Sequence, residues 1–276
     1  MNVEEIKIEN WTDLLQMSED AFFSVYRGQS NANWDLETSL FRAVAQNHEG
    51  YNHNHTERLF AERMSLKTFK ARAHFYLKNL PKNSDSVSWL SIMQHHGAPT
   101  RLLDFTHSLY VAIYFAIIDA TSDSCVWAID DNWLRSKGSN LAEKYHFTKT
   151  NSLRFGELNS IYRFANHVIN QNSFDGDEDE DFEDSGILMI ELKRQIPRLA
   201  IQQGLFLMPT ALSKSFSDNL SSYKNKSPNS KIQKILIPYE LRYELLVQLK
   251  TMNITSESLF PGIDGFAKSL FHHEMI

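Results

Sequence analysis

The stretch of sequence that decides the fold is WLSIMQHHGAPTRLLDFTHSLYVAIYFA, residues 89–116. Residues 86–96, which overlap its start, have the pattern of a short helix, and Gly97 and Pro99 follow them. Glycine accepts the left-handed backbone turn after a helix, and proline cannot continue one. The pattern therefore predicts a helix that ends before residue 97.

The second half of this stretch predicts a strand, a turn and another helix. Residues 102–105 form a short extended run, followed by Thr106 and Ser108, and either of these could cap a helix. Residues 109–119 then predict a largely apolar helix. Its small residues Ala112 and Ala116 are four apart, so this helix can pack closely on a sheet.

The rest of the chain mixes strand-like and helical runs without regular spacing. Strand-like runs cover residues 21–26, 125–130, 186–192, 205–208 and 231–238. Helical runs cover residues 56–80, 239–250 and 256–271, after a short strand and a helix within residues 3–17. This irregular order predicts an α+β fold with mixed, mainly antiparallel sheets and flanking helices, rather than a doubly wound parallel sheet.

Length and composition predict a single globular domain over residues 1–276. The chain is 42% hydrophobic and 22% charged, which excludes disorder of the whole. Residues 175–184 hold eight acids and no base, so we interpret about 171–185 as an acidic, solvated loop inserted between elements. Without those acids the net charge of −6 becomes +2. Basic residues within 58–78 allow a basic face on the remaining body, although a merely solvated helix explains them as well.

The cysteine count and the length of the apolar runs indicate the expected location of the protein in the cell. Cys125 stands alone, so no internal disulfide can form, and no cysteine cluster is present to hold zinc or iron–sulfur. We expect a reducing, cytoplasmic location and no bound metal. The most apolar run, residues 109–118, is about half the length of a bilayer span, and the acidic start of the chain does not resemble a secretory signal. We therefore expect no membrane partner.

Familiar catalytic motifs are absent. The chain has no phosphate-cradling glycine loop, no GxSxG and no HExxH, which excludes kinases, P-loop NTPases, lipase-like hydrolases and zincins. Any chemistry must come from residues scattered along the chain. Three polar clusters beside strands or glycine turns are the candidates.

The first cluster is Tyr26-Arg27-Gly28-Gln29, at the end of an aromatic strand. An arginine at such a position can direct its fixed donors into a cleft and bind a phosphate or carboxylate in bidentate fashion. The alternative is an arginine that forms a salt bridge within the fold. All four residues are candidate ligand contacts.

The second cluster spans residues 94–108, between the end of one predicted helix and the start of the next. Unpaired backbone N–H groups gather at a helix start and attract anions. The candidate ligand contacts are its polar side chains: His95, His96, Arg101, Asp104, Thr106 and Ser108. The alternative is an internal ion pair between Arg101 and Asp104, with Thr106 or Ser108 serving only as a cap.

The third cluster is Gln202-Gln203-Gly204, which follows Arg198 and leads into an apolar strand. An amide can donate to and accept from a sugar hydroxyl, yet it cannot take up a proton at neutral pH. Gln202 and Gln203 are therefore candidate ligand contacts. The alternative is that the two amides only hold a turn together.

Together these residues resemble the FRG domain family, which is named after a Phe/Tyr-Arg-Gly triplet and is widespread in bacteria and phages. The resemblance extends from about residue 22 to residue 270. It rests on Tyr26-Arg27-Gly28, residues 89–116, Arg198 with residues 202–206, and the tail SLFPGIDG at residues 258–265.

The order of the three clusters is also similar to that in the ADP-ribosyltransferase superfamily. This resemblance implies an ADP-ribosyltransferase-like core with NAD as the substrate. It implies that Arg27 binds the dinucleotide phosphates or supports the nicotinamide ribose, that Thr106 and Ser108 brace the site, and that Gln202 holds the ribose 2′-hydroxyl.

Gln202 departs from the pattern, because many such transferases have glutamate there. An amide cannot deprotonate an acceptor, so the resemblance requires another base, with Asp104, His95 or His96 as candidates. The catalytic residues expected from the resemblance are Arg27, Thr106, Gln202 and Asp104.

Several functions remain open at this point. The first is an NAD-dependent transferase that modifies DNA, another nucleic acid or a protein, as a toxin or in phage defence. An NAD glycohydrolase would consume NAD without labelling an acceptor. The second class is a noncatalytic module that senses a nucleotide or binds a partner, which glutamine at position 202 favours. A hydrolase built on His95 or His96 with Asp104 is the third, although the sequence presents no nucleophile for it.

Overall fold

One seven-stranded sheet organises the described part of the chain, which in this computed structural model comprises residues 3–20, 24–47, 55–147, 153–171, 181–192, 197–224 and 230–274. The strands are β1 (Glu4–Lys7), β2 (Ser24–Gln29), β3 (Leu103–Thr106), β4 (Ser124–Asp130), β5 (Ile187–Ile190), β6 (Gly204–Pro209) and β7 (Ile232–Ile237). Their order across the sheet is β1-β7-β4-β2-β3-β6-β5.

Twelve helices lie within the described ranges, together with short 3₁₀ turns at Ala73–Phe75 and Tyr239–Leu241. The first six are α1 (Trp11–Asp20), α2 (Ser39–Asn47), α3 (His55–Arg72), α4 (Ser86–His95), α5 (Leu109–Ile117) and α6 (Asp131–Lys144). The others are α7 (Leu153–Gln171), α8 (Pro197–Ile201), α9 (Phe216–Ser221), α10 (Arg242–Thr251), α11 (Ser256–Leu259) and α12 (Ile263–Glu274).

The sheet is mixed and mainly antiparallel, as predicted. Only β1 and β7 pair in parallel, and the other five pairings are antiparallel. Alternate side chains along each strand point to opposite faces, and both faces are apolar. Tyr26 and Val126 pack with α5 and α10 on one face, whereas Val25 and Trp127 pack with α6 and α9 on the other. The prediction of more than one sheet is wrong, because all seven strands join into one.

The sheet is weakly joined at its centre. β2 pairs with β4 along six residues, but it pairs with β3 only at Tyr26 and Thr106. Beyond that single pair the two strands separate. A gap therefore opens in the middle of the sheet, between residues that are distant in sequence.

The elements predicted around residues 89–116 are confirmed. α4 ends at His95, and Gly97 follows with a left-handed φ of 83°. Ser108 is the N-cap of α5, because its Oγ accepts from the backbone N–H of Val111 at 3.3 Å. The predicted close packing of α5 is also present, since its backbone lies directly against Gly28 of β2.

Other helices were not predicted or have different ends. α2, α6, α7, α8 and α9 have no counterpart among the predicted helical runs. The helix predicted over residues 56–80 ends at Arg72, and the one predicted over residues 256–271 is interrupted at Pro261. α6 and α7 are polar along much of their length, and tertiary packing of a few side chains such as Phe164 stabilises them more than local propensity does.

The acidic loop is only partly a solvated insert. Residues 172–180 lie outside the described residues. Asp181, by contrast, accepts hydrogen bonds from three backbone N–H groups, and Phe182 is buried in the core. Asp184 binds Lys144. The interpretation of the whole stretch as solvated is therefore wrong for its last residues, because Phe182 supplies apolar surface that the core buries.

A charged network holds the end of β5 against α6. Glu191 Oε1 accepts from Arg135 Nη2 at 2.8 Å, and His107 Nε2 lies 3.6 Å from the same oxygen. Arg135 also binds Asp131. The pKa of Glu191 is lowered to about 2, first by its interaction with His107 and then by its contacts with Arg135. Burial alone would raise this pKa. The carboxylate is therefore more acidic in the folded protein than in the unfolded chain.

This network predicts a pH-dependent stability. A carboxyl with a lowered folded pKa stabilises the protein above its unfolded pKa of about 4.3, and that stabilisation is lost as pH falls towards 2. We expect Glu191→Gln to lower the free energy of unfolding by about 2 kcal/mol at pH 7, and the deficit to shrink steadily below pH of about 4.3. Urea unfolding at several pH values measures it, with the exposed Glu143→Gln as control. A deficit that does not change with pH would contradict the network.

Candidate functional site

A cavity of about 870 Å³ lies at the gap between β2 and β3. This volume is typical of sites that hold a small molecule or cofactor. The strands β2, β3 and β6, the loop after β2, the end of α4, and parts of α5 and α8 contribute to its wall. Arg27, Asp104 and Gln202, one from each predicted cluster, all line it.

Arg27 is the central cation of the cavity. Its Nη1 donates to the backbone oxygen of Asp104 at 2.8 Å, whereas its buried Nε has no hydrogen-bond partner among the described residues. Burial lowers the pKa of the guanidinium, and the charge of Asp104 opposes that shift. No carboxylate of the described residues forms a salt bridge with it. The guanidinium therefore keeps donor capacity for a ligand.

Asp104 is one of three acidic residues that line the cavity, together with Asp35 and Glu37. Its Oδ2 accepts from Gln94 Nε2 at 2.7 Å, and Gln94 in turn accepts from the hydroxyl of Thr100. This chain holds the carboxylate in one orientation. Oδ1 has no hydrogen bond to any described residue. The charge of Asp104 also counteracts the lowering of the pKa of Arg27 and Arg198 by burial, so it acts on both guanidinium groups.

Arg198, on α8, is held by the C-terminal tail. Its guanidinium carbon lies 4.5 Å from the centroid of the Phe260 ring, a cation–π contact, and Lys268 lies 5.2 Å from the same ring. The tail motif that contributed to the family resemblance thus packs behind the cavity rather than inside it. Its contact determines where Arg198 points.

His95 lies at the end of α4 and lines the cavity, whereas His96 does not. The two rings are 4.9 Å apart. Burial, together with the charges of His96 and Arg198, lowers the pKa of His95. This histidine is therefore neutral at pH 7 and adds a hydrogen-bonding group to the cavity rather than a charge.

Thr106 and Gln202 line the cavity but use their polar side-chain atoms internally. Thr106 Oγ1 donates to the backbone oxygen of Gln202 at 2.7 Å and accepts from the N–H of Ser108 at 3.0 Å. Gln202 Nε2 donates to the backbone oxygen of Leu259 at 3.0 Å. Ser108 caps α5, and Gln203 lies outside the cavity wall with a φ of 49°. These four residues hold the turn that shapes the cavity.

Two other candidate residues have structural contacts. Arg101 is fully buried and forms an ion pair with Glu62 of α3, so it neither reaches the cavity nor pairs with Asp104. Gln29 Nε2 donates to the backbone oxygen of Asp35, and its Oε1 accepts from Trp127 Nε1 at 2.7 Å. Gln29 therefore positions the loop after β2. Gln29 also lines the cavity, as do Tyr26 and Gly28, and their predicted contact with a ligand stays a prediction.

Sequence reasoning missed part of the cavity wall. Trp34, which is 55% exposed, and Arg42 come from the loop after β2 and from the unpredicted α2. Phe115 of α5 also lines the cavity. The Oγ of Ser91 is buried in the same wall without a hydrogen-bond partner among the described residues. A tryptophan within a polar turn was the one signal that could have drawn attention to the loop.

The cavity combines features that suit a nucleotide. The guanidinium groups of Arg27, Arg42 and Arg198 can bind phosphates, and aromatic rings such as Trp34 can stack on a base. The acidic residues in the same wall are Asp35, Glu37 and Asp104. Among the described residues, no group of three His, Cys, Asp or Glu side chains could hold a metal ion.

Fold and site define a mixed α/β protein with an arginine-rich cavity at a break in its sheet. Residues 23–125 match the sequence model of the FRG domain. The match is shorter than the range of residues 22–270 that the motifs indicated, and it leaves Arg198 outside. No curated protein matches the chain, and no solved structure matches its fold.

Within the described ranges, none of the helices has the length and apolar character needed to cross a membrane. This agrees with the short apolar run in α5. The cytoplasmic location expected from the sequence stays a prediction.

Proposed function

We propose that the chain is an NAD-consuming enzyme similar to ADP-ribosyltransferases, which transfers ADP-ribose to an acceptor. The observation that carries this proposal is that Arg27, whose guanidinium forms no salt bridge with a described carboxylate, lines the same cavity as Asp104. An arginine with free donors suits a phosphate, and a carboxylate suits the positive charge that develops on the ribose. An ADP-ribosyltransferase-like core for the sheet stays a prediction.

The arginines would bind the pyrophosphate of NAD. Arg27 and Arg198 both line the cavity, and the charge of Asp104 raises the pKa of each, so both lie close enough to Asp104 to interact with it. Two cations there can neutralise the two phosphates of the dinucleotide. Trp34 and Phe115 offer aromatic surface for the adenine or nicotinamide ring.

Asp104 would serve the chemical step. The bond between ribose C1′ and nicotinamide nitrogen breaks with its electron pair going to nicotinamide, and positive charge develops on the ribose. A carboxylate held by Gln94 can stabilise that charge without reorganising. An acceptor hydroxyl or amine then bonds to C1′, and its proton passes to Asp104 Oδ1. With water as the acceptor, the same step yields free ADP-ribose.

Thr106 and Gln202 take a different role from the one the resemblance implies. Their polar side-chain groups donate to backbone oxygens, so we assign them to positioning the turn after α8. In this proposal Asp104 replaces the glutamate that many transferases carry in the third cluster. His95, neutral at pH 7, is a further hydrogen-bonding group for the ligand.

The second candidate is a module that binds a nucleotide without turnover. It is favoured by the absence of any carboxylate from the third cluster and by the internal hydrogen bond of the Gln202 amide. Both candidates predict that NAD or a related nucleotide binds in the cavity. They differ only in whether the bond to nicotinamide breaks.

The test is to incubate the purified chain with NAD labelled in its adenine ring, together with DNA, RNA or cell lysate. We expect nicotinamide release and label on an acceptor. Asp104→Asn should lower kcat by about 10²-fold, because the charge that stabilises the transition state is lost. Its KM should stay equal or fall, since a negative charge near the phosphates is removed.

The exposed Asp264→Asn, on α12, is the matched control and should leave both constants unchanged. A folded chain that binds NAD in calorimetry but releases no nicotinamide would favour the noncatalytic module. Release of nicotinamide without any labelled acceptor would identify a glycohydrolase. A normal kcat in Asp104→Asn would overturn the role of Asp104.

A further inference from the structure

A second surface, separate from the cavity, is formed by α3 and the segment that follows it. Residues 63–84 contain six Lys and Arg residues and no Asp or Glu. Arg72, Lys78 and Lys82 are exposed and form no salt bridge with any described residue. The segment therefore concentrates positive charge on a chain whose net charge is negative.

Exposed aromatic rings accompany these charges. Tyr76 is 84% exposed and Phe75 is 73% exposed, and no large hydrophobic residue in the described ranges is more exposed than Tyr76. Phe60, on α3, is 54% exposed. Large apolar side chains that protrude together are typical of an interaction site rather than of plain solvated surface.

One face of α3 carries an aromatic ring and a basic side chain together. Phe60, Met64, Lys67 and Ala71 are spaced by three or four residues along α3, so they lie on one side of the helix, and all are exposed. Phe75 continues the same spacing in the 3₁₀ turn. We call this face, with residues 76–82, the basic aromatic surface.

The segment after α3 is fixed in place. Lys70 Nζ donates to the backbone oxygen of Asn83 at 2.9 Å and to Ser86 Oγ at 3.0 Å. Trp89 Nε1 donates to the backbone oxygen of Lys82 at 3.1 Å. These bonds tie the segment to α3 and α4, so the exposed rings are presented on a rigid support and lose little entropy on binding.

We propose that the basic aromatic surface binds single-stranded nucleic acid. Proteins that bind single strands without sequence preference combine positive charge along the backbone with aromatic rings on which bases stack, and both are present here. The bases of a duplex are already stacked on one another, so protruding rings favour a single strand. A membrane is a poorer fit, because Ser65, Lys67 and Thr68 interrupt the apolar positions of α3.

The surface and the cavity are joined by α4. This helix begins at Ser86, beside the fixed segment, and ends at His95, which lines the cavity. Its 10 residues span about 15 Å. If the proposed function holds, a strand on this surface places its nucleotides within reach of the ADP-ribose, so the acceptor is nucleic acid. The binding itself does not depend on NAD.

The test measures fluorescence anisotropy of fluorescein-labelled oligo-dT and oligo-U of about 20 nucleotides with the full chain, over a range of salt concentrations. We expect the double variant Phe75→Ala, Tyr76→Ala to bind at least 10-fold more weakly, about 1.4 kcal/mol or more for lost stacking. Arg72→Gln, Lys78→Gln and Lys82→Gln together should reduce the slope of log affinity against log salt by about 2.

The matched control is Tyr239→Ala, Tyr243→Ala, which removes two exposed tyrosines near α10 and should leave binding unchanged. The proposal is overturned if the wild-type chain does not bind at low salt, or if the control loses as much affinity as the Phe75 and Tyr76 variant. It is also overturned if duplex DNA or anionic phosphatidylserine vesicles bind more tightly than oligo-dT. If oligo-dT does not bind, the proposal of NAD consumption is not affected. If oligo-dT binds but no nicotinamide is released, only the proposed enzymatic activity is refuted.

Discussion

Arg27→Ala is expected to lower the rate of NAD consumption by about 10³-fold while the protein stays folded. Arg27 lines the cavity, and its guanidinium forms no salt bridge with any described carboxylate, so it offers preorganised donors to a ligand. Removal of one such preorganised donor typically costs about 10²-fold to 10³-fold in rate, and Arg27 would contact the ligand with more than one. Nicotinamide release measures the effect, and circular dichroism confirms that the sheet is retained.

Two further variants make this prediction specific. Arg27→Lys keeps the charge but loses the planar fork, so we expect an intermediate loss. Arg163→Ala removes an exposed arginine of α7 whose guanidinium carbon lies 5.7 Å from the Phe147 ring, outside the cavity, and it should leave the rate unchanged. An Arg27→Ala protein with normal activity would contradict the role of the cavity in the reaction.

Gly28→Ala is expected to abolish stable folding, with a loss of at least about 4 kcal/mol in the free energy of unfolding. A Cβ at this position would lie 2.0 Å from the backbone oxygen of Ala112 and 2.5 Å from the backbone nitrogen of Ala116. Both atoms belong to the main chain of α5 and cannot rotate away. The helix would have to leave the sheet, which exposes the core between them.

Urea unfolding measures this loss, and Gly138→Ala is the matched control. A Cβ at Gly138, within α6, would meet its nearest atom, the backbone oxygen of Ile187, at 3.5 Å, an ordinary contact. Alanine is also the better helix former, so we expect Gly138→Ala to be neutral or stabilising by up to about 1 kcal/mol. A Gly28→Ala protein as stable as this control would show that α5 does not pack on β2 as described.

Much of the fold could be predicted from local chemistry. The end of α4 follows from Gly97, and the start of α5 follows from a capping hydroxyl. α6 and α7 could not be predicted in the same way, because what stabilises them is the burial of a few side chains against distant strands. Hydrophobic periodicity is weak in such helices, and tertiary packing decides them.

The residues of the site also divide into those that the sequence identified and those that only the structure revealed. Arg27 and Asp104 were identifiable, because a charged residue beside a buried strand end is unusual in any sequence. The partner of Arg101 was not, since Glu62 comes from a helix 39 positions earlier in the chain. Trp34 and Arg42 enter the cavity because distant residues hold the loop after β2 and the start of α2, as Gln29 does through Asp35 and Thr100 does through Leu40. Such contacts have no signature in the local sequence.

The amino-acid sequence by itself determined which short segments become helix or strand around residues 89–116, and which polar residues are available for chemistry. Tertiary structure alone decided that β2 and β3 meet at a single residue pair and then separate. Strand pairing depends on the packing of both sheet faces, to which residues from the whole chain contribute, so no local pattern encodes the gap. The cavity exists because of that gap, and it unites arginines that lie 171 positions apart, Arg27 and Arg198.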